Sequence, residues 1–251
     1  MSGHNKWSSI KHRKVAQDAK RGKLFTKIIK EITIAARTGG GDASGNPALR
    51  RALDLARANN MPQDNVTRAI KKGTGELEGV HYEELVYEGV GPGGSLFVLK
   101  AVTDNRNRSA AELRKLFDKH HGQLGSSGAA AWAFEEKGMI KLPIDVATEE
   151  QLFEVAVGAG AEDLSSDETQ WFVTTPRDDL DVVRAAMEAA GIEPEEAALV
   201  QVPTTPKELD GKEALQAMQL YEALEEHDDV ESVFADFELS EAALAALDAD
   251  E

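Results

Sequence analysis

GMIKLPIDVATEEQLFEVAVGAGAEDLSSDETQWFVTTPRDDLDVVRAAMEAAGIEPEEAALVQVP, residues 138–203, is the stretch that decides the fold. It reads as a strand over 139–142, a helix over 149–159, strands over 162–165 and 170–174, a helix over 180–190 and a strand over 197–202. That order is a complete βαββαβ, the ferredoxin-like unit. The flanks carry more of the same: strands at 82–88 and 95–103, a helix at 107–121 and a strand at 130–135 before it, a helix at 212–227 and a strand at 231–237 after it. Neither flank closes a sheet alone. Joined, they predict a second α+β sandwich, a discontinuous middle domain of residues 79–137 and 204–239 with the domain of residues 138–203 inserted in it. Residues 240–251 form a short, Ala-rich, acidic tail.

The region before residue 79 reads as helices. Leu24, Ile28, Ile32 and Ala36 recur every four residues with Phe25, Ile29 and Ala35 beside them. Lys20, Lys23, Lys27, Lys30 and Arg37 fall on the opposite face, so one face packs and the other is expected to meet phosphate. The glycine-rich loop at residues 38–45 ends this helix, and Asn46-Pro47 starts the next with a capping residue and a proline at the first helical position. Leu49, Ala52, Leu53 and Ala56 line its buried stripe; Asn60-Met61-Pro62 breaks it, and Val66, Ala69 and Ile70 pack in a third helix that Gly73 stops. The class predicted is therefore α+β and multidomain: a basic N-terminal segment (1–21), a helical basic domain (22–78) and two ferredoxin-like α+β domains, the third inserted in the second.

Charge is distributed unevenly over this plan. Residues 1–75 hold sixteen Lys+Arg against five Asp+Glu, a net of +11, and the remainder holds twelve against forty, a net of −28. A polyanion is attracted to one end and repelled by the other, which describes an oriented nucleic-acid binder better than a nonspecific coat. The chain has no cysteine, hence no disulfide, no thiolate nucleophile and no thiolate zinc site, and this suits a reducing cytoplasm. There is no run of about 18 apolar residues to cross a bilayer, and the charged start lacks the apolar core of a secretory signal. The expected location is cytoplasmic, with no membrane partner.

The richest chemistry lies in Ser2-Gly3-His4-Asn5-Lys6-Trp7-Ser8-Ser9-Ile10-Lys11-His12-Arg13-Lys14. Its cations and imidazoles suit a phosphate backbone while Trp7 stacks on an unpaired base; alternatively, Trp7 and Ile10 tuck against the helical domain. If Met1 is removed, Ser2-Gly3-His4 offers an amine, two amide nitrogens and an imidazole to one square-planar Cu(II) or Ni(II), as any exposed third-position histidine does. Arg106 and Arg108 open a helix whose dipole opposes them unless an anion is present; they suit either an RNA phosphate or a surface turn bonded to acidic neighbours. Gly91-Pro92-Gly93-Gly94 reads as a hairpin. His120-His121 diverge by about 100° on a helix and do not make a metal pair. Trp132 and Phe134, like Trp171 and Val173, alternate onto one sheet face, as core residues do. No nucleophile elbow, Walker loop or His-Glu-x-x-His is present, so no enzyme, cofactor or metal is expected.

Gly3-His4-Asn5-Lys6-Trp7, Ile10-Lys11-His12-Arg13-Lys14, Gln17-Asp18-Ala19-Lys20-Arg21, Phe25-Thr26-Lys27, Gly39-Gly40-Gly41-Asp42, Asn46-Pro47, Asn60-Met61-Pro62, Ala69-Ile70-Lys71-Lys72-Gly73, Tyr87-Glu88-Gly89 and Thr103-Asp104-Asn105-Arg106-Asn107-Arg108 closely resemble the YebC family. That family includes the mitochondrial translational activator of cytochrome c oxidase I, and the resemblance spans nearly the whole chain. It implies a helical domain plus two ferredoxin-like domains without known enzymatic activity. Family members are labelled probable transcriptional regulatory proteins that bind DNA, and are also described as translation factors that bind the ribosome and relieve stalling on proline-rich nascent chains. Asn5 stands where many relatives carry serine.

Three functions follow. The first is an rRNA- and ribosome-binding factor that supports translation elongation, including through proline-rich stalls. It would use His4, Lys6, Trp7, Lys11, His12, Arg13, Lys14, Lys20, Arg21, Lys23, Lys27 and Lys30, with Arg106 and Arg108. The second is a DNA-binding transcriptional regulator. The third is an interaction scaffold whose basic end docks on an acidic protein. An inserted tail with a lone aromatic suits irregular RNA, whereas duplex readers usually carry a recognition helix with side chains for base edges.

Overall fold

The structure, a computed structural model, describes residues 17–79, 81–240 and 242–243, with the side chains of residues 17–21 excepted. Helix α1 (Gln17–Gly39) begins six residues before Lys23, where the periodicity starts, and takes in Lys20 and Arg21. It is followed by α2 (Pro47–Ala58) and α3 (Gln63–Gly73). The join between α1 and α2 is made by one side chain. Asn46 Oδ1 accepts the Leu49 N–H at 3.1 Å, while its Nδ2 donates to the carbonyls of Ala35 (2.8 Å) and Gly40 (2.9 Å). The cap of one helix is thereby tied to the end of the other. Ile28, Ile32, Ala36, Leu49, Ala52, Ala56, Val66 and Ala69 form the shared core.

Helix α3 reaches α1 closely only because it ends in glycine. A Cβ on Gly73 would lie 2.4 Å from the Thr33 carbonyl oxygen and 2.7 Å from Ala36 Cβ. Backbone lies against backbone there, a contact that no other residue permits.

Two compact units divide the chain, residues 1–80 with 136–200, and residues 81–135 with 201–251. In the first, the helical domain is joined by β4 (Phe134–Pro143), α5 (Glu149–Leu152, continued as a π-helical turn over Phe153–Val157), β5 (Asp163–Ser166), β6 (Gln170–Pro176), α6 (Leu180–Ala189) and β7 (Glu196–Pro203). The sheet order is β5-β6-β4-β7, with β6 antiparallel to both β4 and β5, so the first and third strands of the βαββαβ lie at the centre. This is the ferredoxin-like domain expected. Ile140, Leu142 and Val173 of its sheet pack on Leu152, Ala156, Leu180, Val183 and Met187 of its helices. Trp171 belongs to this core, and its indole N–H donates to the Ile144 carbonyl at 3.1 Å.

Reciprocal ion pairs hold α2 against α6. Arg51 donates to Asp181 at 2.9 Å, and Arg184, with a side chain only 9 % exposed, reaches Asp54 at 2.8 Å and Glu188 at 3.0 Å. Burying a guanidinium is tolerable only with such partners, and removing one side strands the other. Arg184→Ala is expected to destabilise the chain by about 2 kcal/mol in urea denaturation. Asp54→Ala should cost about 1 kcal/mol less in that background than in the wild type. Fully additive effects would show that the pair contributes nothing.

In the second unit, β1 (Glu83–Val90) and β2 (Leu96–Thr103) form the antiparallel hairpin expected around Gly91-Pro92-Gly93-Gly94, with Pro92–Gly94 as a single 3₁₀ turn. Helix α4 (Arg106–Lys119), β3 (Gln123–Leu124), β8 (Lys207–Leu209), α7 (Gly211–Glu225), β9 (Val230–Ala235) and β10 (Phe237–Leu239) complete it. The four-stranded sheet runs β3-β1-β2-β9, and β8 pairs with β10 separately. Leu113 and Phe117 of α4 and Leu220 and Leu224 of α7 cover one face of the sheet over Phe97, Leu99, Val230 and Val233. The class is therefore α+β with two helix-on-sheet, ferredoxin-like domains, the third inserted in the second. Close to where the chain leaves this unit at Glu135 and re-enters it at Gln201, Thr204 donates its N–H (2.8 Å) and its hydroxyl (3.1 Å) to the Ala133 carbonyl.

Residues 130–135 depart from the strand expected there. Ala131–Ala133 is a 3₁₀ turn, β4 begins only at Phe134, and the third strand of the middle sheet is Gln123–Leu124. The cause is Glu88, 6 % exposed, whose carboxylate accepts the N–H groups of Gly128 (2.8 Å), Ala130 (2.7 Å) and Ala131 (2.7 Å). Those donors cannot serve a sheet, so the backbone turns. Phe134 is buried beside Val98 and Ala130, but Trp132 is 73 % exposed, which corrects its expected core role.

Candidate nucleic-acid interface

His4, Lys6, Trp7, Lys11, His12, Arg13 and Lys14, and the Ser2-Gly3-His4 start, lie outside the described residues, and Lys20 and Arg21 are described only as helical backbone. On α1 the expected basic face is interrupted. Lys23 and Arg37 are exposed and Lys27 is half-buried, but Lys30 is buried at 6 % exposure, as is Ile34 on the same stripe. The periodicity argument assumed one buried face; α1 is buried on two. Lys30 is therefore not available to phosphate, and replacing it would disturb packing.

A second group of cations stands where α1 and α3 cross. Gly73 sets its backbone against Thr33, Ala36 and Arg37, and Gly41 sits against Ile70 and Thr74. Arg37, Lys71 and Lys72, all exposed, therefore gather at one corner beside the glycine-rich loop. Their position in the last turns of α1 and α3 is favourable to the helix dipoles without any ligand, so the charge is held there at little cost. Lys71 and Lys72 are not among the residues that the sequence reading singles out, because its charge argument follows the face of α1 alone. Arg50 and Arg51 have structural roles: Arg50 donates to the Ala43 and Ser44 carbonyls and Arg51 pairs with Asp181.

Arg106 and Arg108 part company. Arg108 Nη2 donates to Asp229 Oδ2 at 2.8 Å and Asp104 Oδ1 at 3.0 Å. The same Asp229 oxygen accepts from Ser109 Oγ (2.8 Å) and Thr103 Oγ1 (3.2 Å), so this arginine compensates a buried carboxylate. Arg106 is exposed, and its carbonyl accepts from Tyr87 Oη at 3.3 Å.

Glu112, His227 and Asp229 bring three possible metal ligands together. Their hydrogen bonds do not fit a metal. The Asp229 N–H donates to His227 Nδ1 at 3.1 Å, leaving the ring proton on Nε2, 3.0 Å from Glu112 Oε2. A cation at Nε2 would have to displace that only proton and make an imidazolate, beside an arginine already on Asp229. No helix among the described residues is long and apolar enough to cross a membrane.

Comparison with known proteins decides the lineage. A family model described as TACO1/YebC protein N-terminal domain matches residues 5–76, and one described as TACO1/YebC second and third domain matches residues 82–237. The chain belongs to the TACO1/YebC family. Relatives share about half of its residues over nearly full length. One from Geobacter sulfurreducens, named a probable transcriptional regulatory protein, is 53 % identical over 240 residues, covering 96 % of this chain and 97 % of its own. One of the same description from Chlorobaculum tepidum is 50 % identical over 249 residues, covering 99 % of each. The crystal structure of a conserved hypothetical protein from Aquifex aeolicus superposes with a TM-score of 0.85 at 44 % identity, over 89 % of this chain and 93 % of that one. The three-domain plan is thus a TACO1/YebC plan.

Proposed function

We propose that this TACO1/YebC chain is a non-enzymatic, cytoplasmic, nucleic-acid-binding regulator of gene expression whose ligand is ribosomal RNA and whose work is to support translation elongation, including through proline-rich stalls. The observation that carries the reading is the +11 balance of residues 1–75 against −28 elsewhere, with Arg37, Lys71 and Lys72 gathered at one exposed corner. Phosphate neutralisation by such a surface supplies affinity without base recognition. The names of the relatives support a regulator of expression and favour a second reading, a DNA-binding transcriptional regulator.

Ribosome pelleting from lysate, with and without RNase, separates the two. Retention that RNase abolishes supports the first, and absence from ribosomes together with a specific duplex complex supports the second. The surface is tested by replacing Lys23, Lys71 and Lys72 with Gln. The slope of log K against log[salt] should become shallower by about 0.7 per lost contact on single-stranded RNA, or about 0.9 on duplex DNA. Since all three are exposed, the melting temperature should stay put. An unchanged slope would mean that these three lysines are only solvated.

A further inference from the structure

Beyond residue 75 the chain is acidic, yet five of its twelve remaining Lys+Arg fall between Arg106 and Lys119, on the single helix α4. Elsewhere in that region most cations are neutralised: Lys137 by Glu162, Lys141 by Glu196, Arg177 by Glu136, and Arg184 by Asp54 and Glu188. On α4 only Arg108 is. Arg114, Lys115 and Lys119 are exposed and, among the described residues, form no ion pair. Leu113 and Phe117 point into the core, so Lys115 and Lys119, each two residues on and one turn apart, stand on the opposite, outward face with Arg114 at its flank. Glu112, an acid that could pair with them, is held by His227 at 3.0 Å.

We propose that the outward face of α4 is a second nucleic-acid contact, which grips the phosphodiester backbone of single-stranded RNA through Arg114, Lys115 and Lys119. The inference rests on the nucleic-acid reading above and adds a site in the acidic part of the chain. The carboxylates of this region repel a polyanion, and three cations without ion-pair partners on one helix face are the local exception, complementary to phosphate. Besides these cations the exposed positions on that side carry Asn107, Ala111 and Asp118, a single amide at the start of the helix, so the contact is made chiefly to phosphate and positions the strand more than it reads sequence. A flexible strand can follow two separate basic surfaces whatever lies between them; a straight duplex reaches both only if they are collinear. That favours RNA.

The test uses the full chain and single-stranded polyuridine RNA, with duplex DNA in parallel, by fluorescence anisotropy over a salt series. R114Q/K115Q/K119Q should flatten the RNA slope by about 2, which is about 0.7 for each of three contacts. K115E/K119E, assayed beside it with a melting curve for each, should weaken RNA binding further at fixed salt. Unchanged RNA slope and affinity in both variants, while Lys71 and Lys72 replacements still flatten it, overturns the α4 site and leaves the nucleic-acid reading standing. A wild-type chain that binds neither nucleic acid overturns both. Loss on duplex DNA with RNA binding untouched overturns the assignment to RNA.

Discussion

Replacing Glu88 by Ala is expected to lower the unfolding free energy by about 3–5 kcal/mol, because three backbone N–H groups lose a charged acceptor at once and all three bonds are buried or half-buried. Glu88→Gln should recover only part of this, since its single carbonyl oxygen can serve one side of the cluster while its amide donors face N–H groups. The effect has a pH signature. Burial pushes the Glu88 carboxyl up, but the donors from Ala130, Gly128 and Ala131 together outweigh burial and hold it below the ordinary value. A depressed native value means that the stabilisation is complete above the unfolded carboxyl's pKa of about 4.3 and is lost as the pH falls through the native one. Urea midpoints measured across that acid range should fall for the wild type and fall less steeply for Glu88→Gln. Equal slopes would show that the carboxylate is not what holds residues 128–131.

Gly73→Ala carries the second large effect, and its sign is diagnostic. In an open helix the change is stabilising by about 1 kcal/mol. At Gly73 the new methyl meets a backbone carbonyl at 2.4 Å, which cannot swing aside, so α3 must move off α1 and a loss of about 3 kcal/mol is expected. Gly22→Ala is the control: it also lies within a helix, nothing among the described residues stands within 4 Å of its added Cβ, and it should be neutral or stabilising. Thermal melts of the two variants check the pair. If Gly73→Ala melts no lower than the wild type, the close approach of α1 and α3 is wrong. Because Arg37, Lys71 and Lys72 gather at that crossing, the same substitution should also weaken nucleic-acid binding.

The inserted domain was legible because each of its six elements announces its own period, and the core residues Val173, Leu180 and Met187 lie where alternation or helical spacing puts them. Capping was legible too, Asn46-Pro47 being a local signal with a local cause. What the sequence hid depends on partners far along the chain. Arg108 looked like a phosphate ligand until Asp229, 121 residues away, claimed it, and Arg51 was matched by an aspartate 130 residues away. Trp132 and Phe134 alternate as in a strand, but Glu88, more than forty residues earlier, withdraws the N–H groups that a strand would need. Lys30 illustrates the remaining limit: periodicity finds one buried face of a helix and is silent about a second. Arg114, Lys115 and Lys119 were visible as a local excess of cations in an acidic region, a signal lost when charge is summed over whole domains.

The clasp of Thr204 on Ala133 bears on how the polypeptide is made. As the chain emerges from N- to C-terminus, β1 and β2 are complete long before their neighbour β9, which starts at Val230. The middle sheet must therefore wait, with the β9 side of β2 an open edge, while the whole insertion is synthesised. The insertion holds all of its own strands and can fold in that interval; doing so sets β4 beside β7 and brings its entry and exit together at the clasp. The span that β9 must close is then roughly halved, a saving of only about 0.6 kcal/mol in chain entropy, so the benefit lies in timing more than in final stability. A guest domain that matures first thus acts as an intramolecular hinge pin for its host.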